Sequence, residues 1–129
     1  MVFKLRREHV RALDATMLGS FELRATAHLR RCFPEVVGKA SDDQMLELVR
    51  FGIERARSHG IDLECDVLRY LDLMCVFGVD FDRDPACPWA AQVLGDPQTA
   101  GSTLRTNTLM AAAKSSLVEP TPAGTRGRG

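Results

Sequence analysis

Two groupings in this 129-residue chain bring together residue types that do chemistry. His28 and Cys32 stand four apart, which on a helix puts an imidazole and a thiol on one face. That is half of a zinc site, but structural zinc is four-coordinate and no second pair with ligand spacing accompanies it. Both also fall on an apolar stripe, so packing in a core or interface is expected of them. The second grouping, Asp80-Phe81-Asp82-Arg83-Asp84, alternates oxygens as the start of a calcium loop does. The rest of such a loop fails here: its sixth position requires glycine and holds Pro85, and its twelfth requires a bidentate Glu and holds Ala91. The expectation is that Phe81 plugs the core while the aspartates cap and face water. His9 and His59 fall at a helix start and a helix end, solvated or satisfied by the dipole.

No Gly-x-Ser-x-Gly, phosphate-binding loop, HExxH or dinucleotide glycine fingerprint is present. Cysteine, histidine and aspartate all occur, but the sequence alone gives them no mutual geometry. The chain is therefore expected not to be an enzyme, and to use no metal and no cofactor. Cys32, Cys65, Cys75 and Cys87 form no CxxC pair. With no signal segment at the N-terminus, they read as free thiols in a reducing cytoplasm.

The elements that must position these residues are helical. From about Arg7 to Arg31, Val10, Leu13, Met17, Leu18, Phe21, Ala25, His28, Leu29 and Cys32 recur at spacings of three and four. Gly19-Ser20 is a place for this helix to bend, and Phe33-Pro34 ends it. A second helix opens on a Ser41/Gln44 capping box, carries Met45, Leu48, Val49, Gly52, Ile53 and Ala56, and stops at His59-Gly60. Asp62 is the expected N-cap of a third, whose apolar residues (Val67, Leu68, Tyr70, Leu71, Leu73, Met74, Cys75, Val76, Phe77) cover most of its circumference, the pattern of a buried central helix. Pro88 leads a short fourth helix through Trp89, Ala90, Val93 and Leu94. From Gln98 the signal fades: one weak helix, then a tail from Glu119 of disordered composition. The predicted architecture is an all-α bundle of about four helices, three main and one short. It forms a domain over 1–97, with a weakly helical to disordered tail over 98–129.

Seventeen Lys and Arg balance seventeen Asp and Glu, and this zero net charge argues against wholesale nucleic-acid binding. No run of apolar residues is long enough to span a membrane. The balance is unevenly spread, at net +3 over 1–57, −6 over 62–96 and +3 over 97–129. Arg24, Arg30, Arg31, Arg50, Arg55 and Arg57 either make a solvated face that pairs internally with the acidic third helix, or steer an acidic partner. A protein partner is expected, met through Arg24, Arg31, Arg50 and Arg57. Trp89 or Tyr70 would serve as an apolar anchor, and Trp89 has the alternative role of closing the bundle.

Phe21-Glu-Leu-Arg-Ala-Thr-Ala-His-Leu-Arg-Arg-Cys-Phe-Pro34, Gly52-Ile-Glu-Arg-Ala-Arg-Ser-His-Gly-Ile61, and Asp66-Val-Leu-Arg-Tyr-Leu-Asp-Leu-Met-Cys-Val-Phe-Gly78 follow in order, with Asp80-Phe-Asp82 and Pro88-Trp-Ala90. Together these stretches resemble short helical bacterial proteins encoded beside type VI secretion spike and effector genes. The resemblance covers about residues 5–97, and residues 98–129 depart from it, the family usually continuing with a more charged final helix. It rests on packing and punctuation rather than on catalytic motifs. It implies a cytoplasmic accessory, a co-chaperone or adaptor that helps load an effector or spike-tip protein encoded by a neighbouring gene. The same gene setting offers an immunity protein against a cognate toxin as the alternative. A small nucleic-acid-binding regulator is a third expectation.

Overall fold

Local signals account for most of the helix boundaries. The computed structural model describes residues 11–118. The start of the first helix before Arg11, His9 and the tail from Glu119 lie outside the described residues. The elements are α1 (Arg11–Cys32), α2 (Pro34–Val37), α3 (Asp42–Ser58), α4 (Glu64–Phe77), α5 (Pro88–Leu94), a 3₁₀ turn (Pro97–Thr99) and α6 (Ser102–Val118). The fold is all-α, with no strand among the described residues. No helix among them is long and apolar enough to cross a membrane.

Gly19-Ser20 does not divide α1, which runs unbroken to Cys32. Pro34 then opens the single turn of α2 rather than simply ending a helix. The capping box of α3 is complete: Ser41 Oγ accepts from the Gln44 amide, and the Gln44 side chain accepts from the Ser41 amide. The buried face of α3 is Met45, Val49, Gly52, Ile53 and Ala56, and a left-handed Gly60 (φ 82°) stops it.

The expected N-cap of α4 is corrected. Leu63, not Asp62, occupies that position and makes no side-chain cap. Ser102 of α6 instead holds the two residues that lead into the helix. Ser102 Oγ accepts from the amides of Asp62 (3.2 Å) and Leu63 (3.3 Å) and donates to Asp66 Oδ2 (2.8 Å). Thr103 donates to the same oxygen at 2.9 Å. Asp66 is 1% exposed, so these two hydroxyls stand in for the water it lost.

Two α-helical faces make the centre. Phe21, Ala25 and Leu29 of α1 and the apolar face of α3 enclose Val67, Tyr70, Leu71, Leu73 and Met74 of α4. Tyr70 and Phe81 are among the largest fully buried side chains. On the other side, α6 packs on α4 and α5 and buries Thr106, Leu109 and Ala113. Residues 102–118 are thus a firm part of the bundle, not a weakly helical extension.

Polar groups explain why periodicity understates α6. Arg105 donates to the His59 carbonyl (2.7 Å), the Asp96 carbonyl (2.9 Å) and Thr99 Oγ1 (3.1 Å). It ties α6 to the C-terminal end of α3, where a cation meets the negative end of the helix dipole.

Candidate functional site

Intramolecular partners take up much of the expected basic face. Arg24 bonds Glu64 at 2.9 Å and lies over the Phe21 ring. Arg30 bonds Asp42 at 3.0 Å, and Arg50 grips the buried Glu22 through Nε (2.9 Å) and Nη2 (3.3 Å). The Glu22 carboxylate raises the Arg50 pKa further above its ordinary value. Arg57 is half-buried on α3. Arg31 is exposed at the end of α1, and no partner for it is found among the described residues.

The two expected aromatic anchors separate. Tyr70 is 1% exposed and offers no surface to a partner, which removes it from any docking face of the folded chain. Trp89 is half-buried, edge-on to Phe77 (centroids 5.0 Å) and stacked with Phe81 (6.0 Å), and so closes the bundle over the 79–87 loop. Phe81 is fully buried as expected from its place in the loop.

Asp82 does not face water. Its side chain is wholly enclosed; Arg55 Nη1 donates to both of its oxygens (2.7 and 2.9 Å), and His59 Nε2 lies 2.7 Å from Oδ2. Burial alone would raise the Asp82 carboxyl, but the His59 and Arg55 bonds outweigh it and hold the pKa below its ordinary value. Arg55 also reaches the exposed Asp80 at 3.1 Å and lies over the Phe51 ring at 4.6 Å. The Tyr70 hydroxyl feels the Asp82 charge but makes no hydrogen bond. Its burial pushes its pKa well above the ordinary tyrosine value. This cluster locks the acidic loop to α3.

A third grouping joins residues far apart in sequence. His28 Nε2 lies 2.8 Å from Asp72 Oδ1, and His28 Nδ1 lies 3.7 Å from Cys32 Sγ. His28 and Asp72 are each partly open to solvent, and Cys32 is exposed. Burial raises the Asp72 pKa, opposed by its bond to His28. The imidazole spends one nitrogen on each neighbour, so the donors point at the ring instead of at a common centre. Among the described residues no cluster of three or more His, Cys, Asp or Glu side chains is arranged to hold a metal ion. His28 and Cys32 were readable as a pair from their spacing. Asp72, forty-four positions from His28, carried no signal of its own.

The outward side of α1 completes the inventory. Ser20, Leu23, Arg24, Ala27 and Arg31 are all exposed and recur at helical spacing along one face. Leu23 is 74% exposed. Small residues on either side of it leave an apolar knob between arginines.

Comparison with protein-family models, with curated proteins and with solved structures finds no match to this chain.

Proposed function

We propose that the chain is a non-enzymatic, protein-binding accessory that docks through the outward side of α1. The observation that carries this reading is the exposed stripe Ser20-Leu23-Ala27-Arg31, with Leu23 open to solvent and Arg24 beside it. An apolar knob flanked by arginines suits association with a partner that offers a pocket. Arg31, with Arg24 beside it in its pair with Glu64, favours a partner segment that is acidic around an apolar pocket, because opposed charges steer encounter and fix orientation. Arg24, Arg50 and Arg55 contribute less, since they are engaged with Glu64, Glu22 and Asp82.

The resemblance to proteins encoded beside secretion genes supplies the class of partner: an effector or spike-tip protein of a type VI system, helped to load by this adaptor. Co-purification of the full chain with the products of adjacent genes tests the reading. An effector or spike-tip protein retained by the wild type and lost with Leu23→Glu supports it. A chain that captures neither overturns it. Protection of cells that express the neighbouring toxin alone would assign the immunity role instead, since a loading factor gives no protection once the toxin acts.

A further inference from the structure

The four cysteines differ sharply in setting. Cys87 is buried and its thiol is pushed up by desolvation, and the half-buried Cys75 is pushed up to about 11 by burial and the nearby Asp72 charge. Cys32 and Cys65 are both exposed, so access alone does not separate them. Their neighbours do. Cys65 Sγ lies 3.7 Å from Asp66 Oδ1, an oxygen of a buried carboxylate. Cys32 Sγ lies at the same distance from an imidazole nitrogen.

We propose that Cys32, His28 and Asp72 form a reactive-thiol site that exchanges with low-molecular-weight disulfides. With Asp72 accepting from His28 Nε2, the tautomer is fixed and the Nδ1 lone pair is left facing the Cys32 thiol. A nucleophile, a base within reach and a third group orienting the base are the signature of an activated side chain. His28 Nδ1 takes the thiol proton, and the Cys32 thiolate attacks one sulfur of the incoming disulfide. A bond forms from Cys32 Sγ to that sulfur, the original S–S bond breaks, and the other half leaves as a thiolate. The leaving thiolate is protonated from solvent or from the imidazolium. The product is a mixed disulfide on Cys32 and one free small thiol, and the redox balance is closed by the disulfide itself. The site begins at His28, the residue after Ala27, yet its chemistry needs no docked protein.

The test treats the reduced full-length chain with a limiting amount of a neutral dipyridyl disulfide and maps the modified peptides by mass spectrometry. Cys32 is expected to react first, about tenfold or more faster than Cys65. The two rates should depend differently on pH, because proton transfer to His28 assists attack at Cys32, whereas the group beside Cys65 is the Asp66 carboxylate. His28→Asn should bring the Cys32 rate down to that of Cys65. Cys87 monitors the fold in the same experiment, because its modification reports unfolding. Equal rates at Cys32 and Cys65, or the same pH curve for both in the wild type, would overturn the proposal without recourse to any variant. So would an unchanged Cys32 rate in a folded His28→Asn chain. None of these outcomes bears on co-purification, so failure here and failure of the docking reading remain distinct.

Discussion

Arg55 Nη1 spans both carboxylate oxygens of Asp82, at 2.7 and 2.9 Å, and the Asp82 side chain has no surface open to solvent. The pair joins α3 to the 79–87 loop, and the ring of Phe81 beside it reaches Tyr70 on α4 (centroids 5.0 Å). Removing one member leaves the other in a poorly solvated place with a single remaining charged partner, His59 for Asp82 or Asp80 for Arg55. Arg55→Ala or Asp82→Ala should therefore cost about 3–5 kcal/mol, read as a fall in the urea midpoint.

Acid should weaken the fold through the same carboxylate. Asp82 has a folded pKa below its ordinary 3.8, so over that interval the unfolded chain binds more protons. Its contribution is fully present above the ordinary value and is lost as pH falls through the depressed one. Asp72, whose pKa is raised, acts in the opposite sense and lowers stability as pH climbs above 3.8. Urea titrations at a series of acidic pH values should show a loss of stability that Asp82→Asn flattens.

Two glycines make opposite predictions for the same substitution. A Cβ on Gly52 would run into Leu71 Cδ2 and sit 3.0 Å from Met74 Sδ, at the contact of α3 with α4. Gly52→Ala should destabilise by about 1–3 kcal/mol despite alanine's better helix propensity. Among the described residues nothing lies within 4 Å of a Cβ on Gly19, so Gly19→Ala should stabilise by about 0.5–1 kcal/mol. Thermal melts of the two variants should move in opposite directions.

Ser102 serves the amides of Asp62 and Leu63, just ahead of α4, and the buried Asp66 at once. Ser102→Ala should cost about 1–3 kcal/mol, because the buried Asp66 loses one of its two hydroxyl donors. Hydrogen exchange should rise first in the opening turn of α4, a response that a purely local effect on α6 would not give.

What the sequence made legible follows from how local each signal is. The Ser41/Gln44 box, the Gly60 stop and Pro88 at the start of α5 act within a turn, and each appears where it was expected. The buried face of α3 and the plug role of Phe81 follow from apolar spacing alone. Long-range polar contacts left no such trace. Asp82 looked like a solvated loop residue because Arg55 and His59, which neutralise it, stand more than twenty positions away. Leu63 rather than Asp62 is the N-cap of α4, and Ser102 holds the amides of both from another helix. In α6 the buried face mixes Thr106, Leu109 and Ala113, and an arginine fixed by carbonyls adds what the apolar period lacks. At the candidate site, Arg24 and Arg31 lie on the exposed face, whereas Tyr70 was misplaced because an amphipathic ring suits both a core and an interface.

Docking by the outward face of α1 is tested most directly by photo-crosslinking in cells that carry the adjacent secretion genes. A photoreactive amino acid at Ala27, in the centre of the stripe, is compared with one at Gln92, exposed on α5. The account predicts a crosslink from position 27 to an effector or spike-tip protein, abolished by Leu23→Glu, and none from position 92. Equal crosslinking from both positions, or none from position 27 in cells making those proteins, would contradict it.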